Sequence, residues 1–259
     1  MIRLPISKTS IEVKKPDTNT ILKVSNDARA GKVFSASMPI IKGCTNLKPE
    51  EILALPILDV EVIVLEAFRK YDLPMEVDGL YSCPRIGCGG VVIHDSDTLS
   101  RPKYTDFEIK YLGEDESPDI VLKLNDLEAN HITSNGEEIA LLSKYTFRQP
   151  TLGDMINIIE NAKSSMKDDD KLKTLYISLL KEVDGLIYAD LTSEQIINRY
   201  KINVLNFEDY RTFNKITVGL RAYGIQPYID LECPNCGKEW KNFSAFASFF
   251  AYALTSVLQ

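Results

Sequence analysis

Histidine is almost missing from this sequence, with two in 259 residues, and tryptophan occurs once. A hydrolytic metal centre needs clustered imidazole and carboxylate ligands around an open coordination position, and the two histidines, His94 and His131, cannot furnish one. Both stand in polar loop-edge contexts. The motifs of other chemistries are absent as well. There is no G-x-S-x-G elbow, no phosphate-cradling G-x-x-x-x-G-K-S/T and no H-E-x-x-H. The residues offer no catalytic site, and the expectation is a protein that is not an enzyme.

Positive charge is also in short supply. Thirty Lys and Arg face 37 Asp and Glu, a formal net charge of −7, whereas gripping nucleic acid calls for a basic excess that neutralises phosphates. Long apolar runs are lacking too. "ILALPILDVEVIVLEAF" is broken by Pro56, Asp59 and Glu61, and "FSAFASFFAYALTSVL" falls short of the roughly 18–20 apolar residues of a membrane span. The N-terminal "MIRLPISKTSIEVKKPDTNT" has no apolar core of the length a secretory leader needs. These absences lead to the expectation of a soluble intracellular protein, long enough to bury a substantial core.

Against this background the cysteines stand out. Of five, four fall into two close pairs: Cys83 and Cys88 in "YSCPRIGCGGVVI", and Cys233 and Cys236 in "DLECPNCGKEW". An odd count with paired thiols fits a reduced compartment and a metal better than a disulfide framework. A tight turn with two thiols and a following glycine aims both sulfurs at one point, because glycine relieves crowding and lets main-chain amides approach. Two such turns make a tetrahedral four-sulfur site suited to structural zinc. "CPNCG" is the stronger half, and "CPRIGCG" is a looser turn with two extra residues. The spacing is unusual, since 144 residues separate Cys88 from Cys233 and an ordinary zinc ribbon uses roughly 15–20. One shared ion would be a staple that closes a long loop. Thiols packed without metal, a disulfide and a redox pair are the other readings. A redox C-x-x-C normally opens a helix, whereas "LECPNCGKEW" reads as a β-turn. Cys44 stands alone and reads as a small buried residue, and His94 is the one further candidate ligand.

The fold class expected is α+β, with a β-rich middle segment and a helical C-terminal half joined by a split zinc-ribbon-like site of four cysteines. Residues 1–45 read as an extended arm or a few strands. Residues 46–150 read as helix plus a β-rich segment carrying the first cysteine turn, and residues 151–259 as a helical region with the second. "LKPEEILALPILDVEVIVLEAFRKYDLP" is helix in two pieces, cut at Pro56 and with Asp59 placed to cap the second. Its Val and Ile content leaves a strand open for that second piece. "MEVDGLYSC" and "GGVVIH" flank the first cysteine turn as strands. "YTDFEIKYL", "DIVLKL" and "EIALLSKYTFRQP" follow, with an Asn135–Gly136 turn signal. From Thr151 the period changes to helical: Thr151 with Asp154 forms a capping-box start. "KDDDKLKTLYISLLKEV", "LTSEQIINRYKI" and "NFEDYRTFNKITVGLRAYGI" read as further helices. Thr192 and Asn206 cap the latter two, and Gly224 closes the last. "NFSAFASFFAYALTSVL" reads as an apolar C-terminal helix that must be covered.

Three other features have plain readings. The acid clusters in "GEDESPD" and "KDDDK" are solvated turns or helix starts. Phe243, Phe246, Phe249, Phe250 and Tyr252 have helical spacing suited to a core or an interface. "KYTFRQPTLGDM" is a strand-to-helix junction, or else a docking edge that presents Arg148.

Taken in order, "NLKPEEILALPILDVEVIVLEAFRKYDLP", a cysteine pair, "YTFRQPTLGDM", "CPNCGKEW" and the ending "NFSAFASFFAYAL" resemble the base plate (baseplate hub assembly) protein family of T-even-type contractile-tailed bacteriophages. The match spans roughly residues 40–259, and the first cysteine turn is longer than the C-x-x-C it stands for. The resemblance implies a late, non-enzymatic structural or assembly protein of the virion tail baseplate, present in the virion or in the host cytoplasm during assembly. It implies partners among baseplate hub, tail tube or tape-measure proteins, and homo-oligomers. A zinc-ribbon nucleic-acid-binding or transcription-regulatory protein is the alternative, prompted by Arg85, Lys238, Trp240 and Lys241 around the turns. The net charge counts against it.

Overall fold

Pro56 divides the first helical stretch. Described in the computed structural model are residues 1–20, 24, 32–71, 79–94, 108–123, 130–132, 138–140, 144–163, 165–192, 210–226 and 228–243. Among them, helix α1 is Val33–Cys44, α2 is Pro49–Ala54 and α3 is Ile57–Tyr71. Pro49 opens α2 where its missing N–H costs nothing, and the Glu51 carboxylate accepts the Lys48 N–H at 2.7 Å. The Pro56 carbonyl then accepts the amides of Asp59 and Val60 to start α3. Asp59 does not cap its own helix, as its position suggested. Its carboxylate is fully buried and accepts the backbone amides of Ile6 at 2.8 Å and Ser7 at 2.9 Å. Helix α3 is buried on most sides through Leu58, Val60, Val62, Ile63, Val64 and Leu65. That all-round burial explains a Val- and Ile-rich helix, because packing overrides propensity.

The N-terminal stretch differs from the extended arm expected. Strands β1 (Ile2–Arg3) and β2 (Ser10–Ile11) do pair antiparallel, but residues 33–44 are helical with Pro39 inside. Ala36, Ile40 and Cys44 recur at four-residue intervals and are buried, as are Ser37 and Ile41, so a helical stripe outweighs one proline.

The chain forms two compact units, Met1–Tyr111 with Tyr223–Gln259 and, inserted between them in sequence, Leu112–Ala222. These divisions follow lines other than the three consecutive segments read from the sequence. In the first unit β3 (Gly79–Ser82) pairs β4 (Val91–His94), and two short strands, β5 (Ile109–Lys110) and a later one, mark where the chain leaves and returns.

The second unit holds β6 (Ile120–Lys123), β7 (Asn130–Ile132), β8 (Glu138–Ala140) and β9 (Lys144–Phe147). It continues with the helical turn α4 (Leu152–Asp154), which widens into a π-helix over Met155–Glu160, and with α5 (Asp168–Leu179). Then come β10 (Leu180–Val183), β11 (Leu186–Ile187) and α6 (Tyr210–Leu220). Its sheet runs β11-β10-β9-β6, all neighbours antiparallel, while β7 pairs β8. Tyr145, Phe147, Leu175, Leu179, Val183 and Ile216 form its core. The helix expected through "LLKEV" stops short, because Leu180–Val183 turns into strand against β9. An Asp184–Gly185 turn with both φ values positive, 53° and 80°, then reverses the chain.

The chain re-enters the first unit through β12 (Gly224–Ile225), followed by β13 (Tyr228–Glu232) and β14 (Glu239–Phe243), which pair with each other. Gly224 lies in β12 and does not close a helix, since α6 ends at Leu220. Strand β12 pairs antiparallel with β5, Gly224 opposite Lys110 and Ile225 opposite Ile109. The chain thus leaves and rejoins this unit at neighbouring points. The architecture is mixed helix and small antiparallel sheets with one cysteine cluster. No helix among the described residues is long and apolar enough to cross a membrane. The expected Asn135–Gly136 turn, the helix over "LTSEQIINRYKI" beyond Thr192 and most of the C-terminal aromatic helix lie outside the described residues. Asn242 and Phe243, its first expected residues, belong to β14.

Candidate metal centre

Each cysteine pair sits on a β-hairpin. Strands β3 and β4 hold Cys83 and Cys88 in their connecting turn, and β13 and β14 hold Cys233 and Cys236 in theirs. The two turns share one hydrogen-bonding plan. The N–H of the first cysteine donates to the carbonyl two residues past the second: Cys83 to Gly90 at 2.8 Å, Cys233 to Lys238 at 2.9 Å. The glycine after each second cysteine takes positive φ, 62° at Gly89 and 64° at Gly237, a conformation that favours glycine. This is why two turns of different length end in the same C-G.

Main-chain amides also reach the sulfurs. The Arg85 N–H donates to the Cys83 Sγ at 3.5 Å, and the amides of Gly90 and Lys238 donate to Cys88 and Cys236. Each donor lies two residues after its cysteine. Such bonds favour the thiolate, the form that binds a metal.

The four sulfurs converge, all lying within 4.8 Å of one another. Cys83 Sγ is 3.8 Å from Cys236 Sγ, and Cys88 Sγ is 3.6 Å from Cys233 Sγ. Sulfurs bound at about 2.3 Å to a tetrahedral ion stand about 3.8 Å apart, so these separations fit one four-coordinate metal. They lie well beyond the about 2.05 Å of a disulfide bond. Cys233 is buried and the other three are half-buried.

Packing four thiols together sets their protons against one another. Cys236 is held down to about 6 by the Lys238 amide and by the Cys88 thiol. The Gly90 amide pulls Cys88 the same way, but the neighbouring Cys236 and Cys233 sulfurs push it up to about 12. One thiolate forms readily and the next is resisted, so a bound cation is what would let all four ionise.

One residue carries more than the sequence disclosed. A Cβ on Gly90 would lie 2.5 Å from the Cys233 Sγ, so the second hairpin's sulfur occupies the space a side chain would fill. The double glycine at 89–90 was the available signal, one glycine serving the turn and the other the approach of the opposite hairpin. The remaining candidates fall elsewhere. Cys44 is buried in α1, its thiol pushed up to about 11 by burial. His94 pairs with Gly79 in the β3–β4 ladder. Exposed charges beside the cluster are mixed, Arg85 and Lys238 with Glu232 and Glu239.

Arg148 is not a free docking side chain. Its guanidinium donates to both carboxylate oxygens of Asp154, at 2.6 and 3.0 Å, and Asp154 also accepts from Thr151 in the expected capping box. The junction reading is the one this geometry matches. The acid clusters likewise behave as turn and helix start. Glu116 accepts the Gly113 amide, and Asp168 pairs with Lys171 in the first turn of α5.

None of the protein families, curated proteins or solved structures compared with the chain matches it.

Proposed function

We propose that the four cysteines hold one structural zinc in a split zinc-ribbon-like site, and that the chain is a non-enzymatic structural or assembly component of a contractile phage tail. The observation that carries the metal half is the convergence of Cys83, Cys88, Cys233 and Cys236 within 4.8 Å on two hairpins of like design. Thiolate sulfur in tetrahedral array favours zinc among the common divalent ions. Four protein ligands complete that coordination and leave no position for substrate, which supports a structural role over a catalytic one.

The tail half rests on the motif order that resembles the baseplate hub assembly family, together with an acidic chain that has no catalytic motif. On this reading the protein works through interfaces with hub, tail tube or tape-measure proteins, in the baseplate or in host cytoplasm during assembly. The test is affinity capture of the tagged chain from cells producing virions. Recovery of tail proteins supports the reading. Steeply salt-dependent binding to DNA or RNA with no tail protein recovered would replace it with the nucleic-acid alternative.

A further inference from the structure

We propose that the cysteine cluster is a clasp with two closed forms: zinc-bound when reduced and, after oxidation by hydrogen peroxide, held by two disulfides that run between the hairpins, Cys83–Cys236 and Cys88–Cys233. This rests on the zinc reading above and adds how the site responds to oxidant. Both thiol–thiol contacts that define the pairing cross from one hairpin to the other, at 3.8 and 3.6 Å. The pairs need to close by about 1.8 and about 1.6 Å to reach bonding distance. Closing across the hairpins leaves the Cys83–Gly90 and Cys233–Lys238 backbone bonds of both turns in place. Bridges within each turn would instead link near neighbours in sequence and leave the two hairpins unconnected.

Exposure assigns the roles within the Cys88–Cys233 pair. Cys88 is half-buried and Cys233 is 1% exposed, so peroxide reaches Cys88 and Cys233 resolves the product. The Cys88 sulfur attacks one peroxide oxygen; an S–O bond forms, the O–O bond breaks, and the departing hydroxide takes a proton to become water. The Cys233 thiolate then attacks the sulfenic sulfur; the S–S bond forms, the S–O bond breaks, and a second hydroxide leaves and takes a proton from solvent to become water. Two electrons pass from the sulfur pair to one peroxide. The half-buried Cys83 and Cys236 react likewise with a second peroxide, and the zinc departs as Zn2+ with its charge unchanged. The hairpins stay joined throughout.

The experiment uses the full chain. Zinc is first quantified in the untreated protein, which tests the metal reading on its own. Hydrogen peroxide is then titrated in while released zinc is followed with a chromophoric chelator, and the product is digested with trypsin without reduction. Cleavage after Arg85 separates Cys83 from Cys88, whereas Cys233 and Cys236 remain on one peptide. Cross-hairpin bridges therefore yield a three-peptide assembly, and zinc release is complete at about two peroxides per chain. In Cys83→Ser the expected product keeps Cys236 as a free, alkylatable thiol while Cys88–Cys233 still forms. Bridges Cys83–Cys88 and Cys233–Cys236 would overturn the proposal, as would sulfinic or sulfonic acids in place of disulfides. A chain without zinc that still forms the cross-hairpin bridges would sink the metal reading and leave the pairing standing.

Discussion

Cys88 and Cys233 are 145 positions apart in sequence, yet their sulfurs lie 3.6 Å from each other. The separation has a simple origin. Residues 112–222 form a compact unit of their own, and the chain leaves and returns through the paired strands β5 and β12. Both cysteine hairpins belong to the unit that is interrupted. The cysteine cluster is therefore a local feature of that unit, split in sequence by an insertion.

Excision tests this directly. Replacing residues 112–222 with a short Gly/Asn turn between Tyr111 and Tyr223 is expected to leave a soluble chain that binds one zinc, because Lys110 already faces Gly224. Zinc content and the absorbance of a cobalt-substituted sample read the outcome. A cobalt spectrum without thiolate charge-transfer bands would show that the centre depends on the inserted unit.

Gly90→Ala is expected to weaken zinc binding by about ten- to a hundredfold, from the roughly 1–3 kcal/mol of overpacking. The added Cβ would meet the Cys233 Sγ at 2.5 Å. Gly87→Ala is the control. Gly87 has φ +77° with nothing within 4 Å of its would-be Cβ, so backbone strain of about 1–2 kcal/mol is expected with zinc affinity little changed. Competition against a chromophoric chelator compares the two, and equal losses would contradict the close approach.

Zinc affinity should fall as the solution is acidified. All four thiols must lose their protons to bind, and Cys236, held at about 6 by the Lys238 amide and its sulfur neighbours, does so readily. Cys88, pushed up to about 12 by the surrounding sulfurs, loses its proton to solvent only as the metal takes its place on the sulfur. Chelator competition between about pH 6 and 8 is expected to show steep weakening toward the acid side. A flat profile would mean that the thiols are not the ligands.

The strand-to-helix junction of the inserted unit has its own pH signature. Burial alone would raise the Asp154 carboxyl, but the Arg148 guanidinium and the Thr151 bonds outweigh it and hold the group below its ordinary 3.8. A carboxyl depressed in the folded state stabilises above the unfolded value, and that contribution is lost as pH falls through the folded one. Asp154→Asn should therefore be less stable than the parent at pH 7 and converge with it toward pH 3. Thr151→Ala, which removes the cap on the Asp154 amide, is expected to cost about 1 kcal/mol. Urea unfolding followed by helical circular dichroism measures both.

Legibility in the sequence depended on how local each signal was. The cysteine turns, the break at Pro56 and the Thr151–Asp154 cap are set by neighbours within a few residues, and each stands where the sequence placed it. The helix over residues 33–44 was hidden because Pro39 is a local breaker, while the stripe that wins is satisfied only by burial of Ala36, Ile40 and Cys44. Asp59 misleads for the same reason. It sits where a cap belongs, yet its partners are Ile6 and Ser7, more than fifty positions away. Gly90 shows the limit most sharply, since what fills the space beside it comes from the far hairpin.

Metal analysis of the purified full-length chain is the most direct test. Elemental quantitation, paired with a thiol count before and after chelation, should find one zinc per chain with only Cys44 outside the centre. Any single Cys→Ser change at position 83, 88, 233 or 236 should abolish or sharply weaken that binding. A native chain that carries no metal, takes up none when reduced and offered zinc, and keeps all four thiols freely reactive would contradict it.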